Sequence, residues 1–228
     1  MRAAAVPSLA VVIPAGGVGT RLGRRTPKQF LRLGDATILT ATLRHFTGHP
    51  AVRAVVVAAP AAYLSRTREL VARGGRRPVH VVAGGPTRQE SVWQALQAAP
   101  PDAEIVLVHD GVRPFIERPL IDAVAAAAAE HGAAICALPI VETIKRVRDG
   151  VVESTLDRSG LWAVQTPQGF RAALLREAHD KARRDGIVGT DDAALVERLG
   201  HPVRVVPGLA GNVKITTPED LRRARRRR

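Results

Sequence analysis

The sequence predicts a doubly wound α/β fold: a mostly parallel sheet with helices on both faces and a β-arm protruding from it. Three observations carry this expectation. Short runs rich in valine and isoleucine alternate with longer segments of helical period. A glycine-rich loop follows the first run directly, where parallel α/β sheets bind ligands. The alternation then breaks between 139 and 170, where hairpin signals replace helical ones.

The strand-like runs lie at 9–13, 52–58, 79–82, 105–108 and 133–138. Between them, Ile38, Leu39, Thr42, Leu43 and Phe46 recur at the spacing of one helix face. Thr87 and Glu90 have the spacing of a capping box, which opens a helix through Val92, Ala95 and Leu96. His131 before Gly132 marks a helix end. Residues 141–152 read as two strands about the Asp149-Gly150 turn, followed by a polar stretch and a run at 161–165. A hairpin with no helix over it cannot bury both faces alone, so the arm at about 139–165 either folds back on the domain or is covered by a second subunit, and the second is the favoured expectation. Helices at 171–184 and 191–199, strands at 203–206 and 213–215, and a last helix complete the chain. That last helix is well started: Thr217 caps it, Pro218 occupies its first turn, and Glu219 and Asp220 complement its dipole.

With 228 residues and 46% apolar content the chain suits one domain around one sizeable core. Cys136 is the single cysteine and sits in an apolar run, so it reads as core, and neither an internal disulfide nor a cysteine metal cluster can form. A reducing cytoplasm is the expected location, since the first ten residues lack the apolar core of a signal peptide and no run approaches membrane-spanning length. The net charge of +13 raises the alternative of a basic nucleic-acid-binding protein. Against it, six of the last seven residues are arginines, so nearly half of the excess sits in a tail that reads as a frayed, solvated helix end. Aromatic residues, at 3%, also leave few platforms for stacking single-stranded bases.

The loop Pro14-Ala15-Gly16-Gly17-Val18-Gly19-Thr20-Arg21-Leu22-Gly23 is followed by Pro27-Lys28-Gln29. Its glycines let backbone amides approach a phosphate chain, and Arg21 and Lys28 are near enough in sequence to close over the same anion. The loop fits neither the dinucleotide fingerprint nor the phosphate loop ending in Gly-Lys-Ser/Thr. Taken alone, it is explained equally well by a tight turn with solvated charges. Two further clusters follow strands: Gly84-Gly85-Pro86-Thr87-Arg88-Gln89-Glu90-Ser91-Val92 and Val108-His109-Asp110-Gly111-Val112-Arg113-Pro114. Asp110 at a strand end is often only a turn cap. Asp191 and Asp192 sit at a helix start and read as caps, and Trp162 reads as packing.

In order and spacing these clusters, with Thr143-Ile144-Lys145, Arg158, Trp162 to Gln168, Thr190-Asp191-Asp192 and Gly211 to Thr216, resemble the 2-C-methyl-D-erythritol 4-phosphate cytidylyltransferases over nearly the whole chain. The resemblance implies a Rossmann-like nucleotidyltransferase fold, CTP and a polyol phosphate as substrates, Mg²⁺ carried mostly by the triphosphate with Asp110 the one protein ligand considered, and no membrane or specific nucleic-acid partner. It assigns Arg21, Lys28, Arg158 and Lys214 as catalytic. Pro14, Ala15, Gly16, Gly17, Gly19, Gly84, Gly85, Ser91, Asp110 and Gly111 become nucleotide-binding, and Asp110, Arg113, Thr143, Arg158 and Lys214 acceptor-binding. It further implies a homodimer with exchanged arms, so that Thr143 and Arg158 serve the partner's site. Glu142 and the Gly111-Val112 pair depart from the family's usual residues, near where the polyol would lie. Ribitol 5-phosphate is the alternative acceptor, because the nucleotide motifs of its cytidylyltransferases are nearly the same.

Overall fold

The structure, a computed structural model, describes residues 7–16, 26–72 and 77–227. The strands expected from the apolar runs form at β1 (Leu9–Pro14), β4 (Val52–Ala59), β5 (Val79–Ala83), β6 (Ile105–Val108) and β7 (Ala133–Pro139). With β10 (Trp162–Arg171) and β11 (Arg204–Pro207) they build a seven-stranded sheet in the order β11-β7-β10-β6-β1-β4-β5. Every pairing is parallel except those of β10, which runs antiparallel to both β6 and β7.

Alternate residues of β1 face opposite layers, as the two-residue period of a strand requires. Leu9, Val11 and Ile13 meet α1 (Ile38–Thr47), α2 (Leu64–Ala72) and α4 (Arg118–His131). Ala10 and Val12 meet α3 (Arg88–Gln97), α5 (Ala172–Arg184) and α6 (Asp192–Glu197). A smaller core lies where α7 (Pro218–Arg226) packs Leu221 and Ala224 against the short hairpin β2 (Arg32–Leu33) and β3 (Ala36–Thr37).

Helix starts follow the sequence signals. Capping boxes close α1 through Thr37 and Thr40, α3 through Thr87 and Glu90, and α7 through Thr217 and Asp220. Gly132, at a φ of 87°, ends α4 in a conformation that a side chain would oppose.

Two expectations need correcting. The strand expected at 213–215 does not form: that segment meets its neighbour through one backbone bond, Ile215 N–H to the Val112 carbonyl at 2.9 Å, rather than through a ladder. The arginine tail is not frayed as far as Arg227. Its helix runs to Arg226, Arg222 and Arg223 pair with Glu219, and Arg225 and Arg227 donate to the carbonyls of Arg32 and Gly211.

Residues 144–156 form a separate two-stranded ribbon, β8 (Ile144–Arg148) with β9 (Val151–Leu156), about the turn at Asp149 and Gly150. Val141, Val147, Val151 and Val152 on and beside it are 55–69% exposed. Trp162, expected to pack, is also exposed in the single chain. Cys136 is buried as expected, and burial pushes its thiol up to about 12.

Phe46 is fully buried and its ring lies 4.9 Å from that of His109, so it joins the core under the sheet to the loop after β6. Phe46→Ala is expected to cost about 3–5 kcal/mol of unfolding free energy, read from urea titration.

Candidate active site

The sheet reverses its winding between β1 and β6: the chain steps outward from β1 to β4 and β5, then returns to the other side of β1. Crevices open at such points, beyond the carboxyl ends of the strands. Ladder bonds carry the loops there. Ala15 N–H donates to Ala58, Gly84 N–H to Ala59 and His109 N–H to Val12, each at 2.8–2.9 Å. The result is a cleft of about 260 Å³, lined among the described residues by Pro14, Ala15, Gly16, Lys28, Gly85, Arg88, Asp110, Gly111 and Lys214, with Gln29, Pro86, Thr87, Ser91 and Val112.

Lys28 reaches the cleft from a short 3-10 turn, Lys28–Phe30, held against the loop by Gln29, whose amide donates to the Ala15 carbonyl at 2.7 Å. On the opposite wall, Ser91 is buried and donates to the Thr87 carbonyl at 2.9 Å. Its hydroxyl lies 2.9 and 2.8 Å from where a Cβ would project at Gly16 and at Gly84, so a side chain at either position requires the serine hydroxyl to move. Gly85 is similarly constrained by Glu90, and Gly111 by Ile13 and Leu39.

Asp110 is the buried anion of the cleft. Lys214 Nζ lies 2.9 Å from it, Arg113 Nε 3.3 Å and Arg88 Nε 3.5 Å. Burial alone would raise its pKa, but the charges of Lys214, Arg88 and Arg113 override burial and hold the carboxyl well below the usual carboxylate range. Arg113 is fixed in turn by the Asn212 carbonyl at 2.8 Å, and the Asn212 amide donates to the Thr166 carbonyl at 2.8 Å.

A chain of hydrogen bonds fixes the backbone that carries this carboxylate. Asp110 N–H donates to the Thr166 hydroxyl at 3.1 Å, that hydroxyl donates to His109 Nδ1 at 3.1 Å, and His109 Nε2 donates to the Arg113 carbonyl at 3.2 Å. The pattern needs a neutral ring, with its proton on Nε2. Burial supplies one by pushing the imidazole down to about 4.

The structure thus brings Pro14, Ala15, Gly16, Lys28, Gly84, Gly85, Ser91, Asp110, Gly111, Arg113 and Lys214 around one crevice. Gly17, Gly19 and Arg21 lie outside the described residues. Thr143 and Arg158 do not line the cleft of their own chain; Arg158 instead donates to the Val141 carbonyl at the base of the ribbon. Asp191 caps α6 as expected, through the Ala194 amide at 2.9 Å. Asp192 is no exposed cap: it is buried and holds Arg88 at 2.7 Å and His179 at 3.0 Å. Arg88, Asp192, Thr166 and Asn212 received no site role from sequence, and the local signal for Arg88 was its place in the Gly84 to Val92 cluster at the start of a helix.

Anchored cations around a buried carboxylate, with backbone brought close by glycines, suit a polyanionic ligand. Among the described residues, no group of three His, Cys, Asp or Glu side chains is placed to hold a metal, and no helix is long and apolar enough to cross a membrane.

The profile of the 2-C-methyl-D-erythritol 4-phosphate cytidylyltransferase family matches residues 9–226. A curated enzyme of that name from Symbiobacterium thermophilum is 49% identical over 219 residues, spanning 95% of this chain and 91% of the relative. One from Bacillus cereus is 45% identical over 212 residues, 92% and 93% of the two chains. The crystal structure of the Thermus thermophilus enzyme superposes with a TM-score of 0.79 at 40% identity, covering 96% of this chain and 98% of that one. The 4-diphosphocytidyl-2C-methyl-D-erythritol synthase of Anaerococcus prevotii gives 0.84 at 28% identity, covering 97% and 98%.

The neutral His109 makes stability depend on pH. An unfolded chain takes up this proton near 6.5 and the folded one only near 4, so acid between those values favours unfolding. Stability is expected to fall by up to ~3 kcal/mol as pH drops through that window, and the carboxylates Asp110 and Asp192 act mainly below it. His109→Gln should flatten the curve, measured as urea midpoints at pH 7, 5.5 and 4.5.

Proposed function

Since the chain belongs to the 2-C-methyl-D-erythritol 4-phosphate cytidylyltransferase family, we propose that it transfers the cytidylyl group of CTP to the phosphate of 2-C-methyl-D-erythritol 4-phosphate. The products are 4-diphosphocytidyl-2-C-methyl-D-erythritol and pyrophosphate, a step of the non-mevalonate route to isoprenoid precursors. The observation that carries this reading is the convergence of Lys28 and Lys214 on one cleft with Asp110 and two glycine segments.

An acceptor phosphate is ionised at neutral pH, so its oxygen attacks the α-phosphorus of CTP while the bond to the bridging oxygen of pyrophosphate breaks. No base is required, and the protein's work is alignment and charge stabilisation. Lys28 and Arg21 offset the charge gathering on the α-phosphoryl oxygens. Lys214, at 39% side-chain exposure, and Arg158 hold the acceptor phosphate. The glycine segments admit the nucleotide against the backbone. Mg²⁺ supplies further charge neutralisation of the triphosphate. The one carboxylate lining the cleft among the described residues, Asp110, is already engaged by three cations, which suits an ion held mainly by phosphate oxygens and water.

Two chains complete two sites. Arg158 and Thr143 lie away from their own cleft, and the ribbon's exposed valines with Trp162 supply apolar surface for a partner. A homodimer with exchanged ribbons answers both facts. A cytoplasmic location fits the single reduced, buried Cys136.

Pyrophosphate release from CTP should depend on 2-C-methyl-D-erythritol 4-phosphate, and preferential turnover of ribitol 5-phosphate would overturn the acceptor assignment. In the same assay Lys28→Ala is expected to lower the turnover number by about 10² or more. Mixing Lys28→Ala with Arg158→Ala subunits should restore part of the activity, because one of the two sites in each heterodimer keeps both groups. Verified heterodimers without recovery would rule out shared sites.

A further inference from the structure

The buried pair behind Arg88 is not used by the mechanism above. Asp192 and His179 are both buried, His179 Nε2 donates to one oxygen of Asp192 at 3.0 Å, and Arg88 donates to the other at 2.7 Å. Asp192 is itself rigidly placed. Its backbone N–H donates to Gln168 Oε1 at 3.2 Å, and the Gln168 amide donates to Asp191 at 2.6 Å. The first turn of α3 is stitched to the chain before α6 by Gln89, which donates to Ile187 and accepts from Gly189 N–H. Arg88 therefore spans two carboxylates, Asp192 behind it and Asp110 in the cleft.

The three cations on Asp110 are not equivalent. Arg88 is tied by Asp192 and Arg113 by the Asn212 carbonyl, whereas Lys214 has Asp110 as its one ion-pair partner among the described residues. Two carboxylates and three cations leave the cluster with one net positive charge. If Lys214 moves onto a phosphate, Asp110 stays compensated only while the two arginines remain. A guanidinium released from Asp192 would also follow the phosphates and spend its attraction on the bound substrate rather than on the transition state.

Resting on the cytidylyltransferase reading, we infer that Asp192, backed by His179, is a positioning residue that keeps Arg88 on Asp110 and leaves Lys214 as the cation free to engage a phosphate. Arg88 works here as a fixed counter-charge, and its planar fork is what lets it reach two carboxylates at once.

The test separates binding from turnover. Asp192→Asn removes a negative charge from the cluster, so the dissociation constant for CTP without acceptor should stay the same or tighten, while kcat falls at least about tenfold through lost alignment. Arg88→Lys keeps the charge but cannot span both carboxylates, and the same split is expected there, which covers the case of a misfolded Asp192 variant. A kcat within about twofold of the parent in either folded variant, or CTP binding weakened in step with the rate, overturns the inference. Tripolyphosphate binding by calorimetry gives a readout independent of turnover. Should the parent protein turn over neither 2-C-methyl-D-erythritol 4-phosphate nor ribitol 5-phosphate, the functional reading falls on its own. Tripolyphosphate binding then decides the positioning role: unchanged or tighter binding by Asp192→Asn supports it, and weaker binding overturns it.

Discussion

A carboxylate buried at the end of a central strand must be compensated or it does not stay ionised, and Asp110 meets that constraint with one cation from its own loop and two from distant stretches of chain. Arg113 comes from its own loop, Arg88 from the start of α3, and Lys214 from the segment before α7. Two of these anchor something else: Arg113 holds Asn212 and with it β10, and Arg88 joins α3 to α6. One negative charge thus ties the crevice to the layer of α3 and α6, to β10 and to the segment before α7.

This arrangement also explains why a site for highly charged substrates is stable before they arrive. Cations crowded into a partly buried crevice would repel one another in the absence of ligand. Asp110 and Asp192 hold them in place, and the excess is confined to the side chain with fewest ties, Lys214. Preorganisation of this kind is what charge stabilisation of a crowded phosphorus requires, since donors that must first be gathered contribute less.

Much of the fold was legible because its signals are local. The apolar runs ended within a residue or so of the observed strands, the capping box at Thr87 formed as its spacing implied, and Thr217 caps the last helix as expected. The segment at 213–215 misled because a Val-x-Ile alternation describes one buried side and says nothing about whether a neighbouring strand is available. Residues that line the cleft were legible where motif order carried them, as with Lys28, Asp110 and Lys214. The roles of Asp192, Asn212 and Thr166 were not, because they arise from contacts across 46 to 104 positions of sequence. An adjacent pair of aspartates at a helix start gives no sign that one caps and the other turns inward.

Ser91 has a consequence for how this architecture can change over time. A single oxygen atom stands 2.9 and 2.8 Å from the points where substituents on Gly16 and Gly84 would project, so loops that leave two different strands share one contact. Neither glycine can be replaced without displacing the serine hydroxyl, and a smaller residue at 91 would relieve both positions at once. The three positions are coupled by volume, and divergence among descendants of this chain should favour joint changes at them.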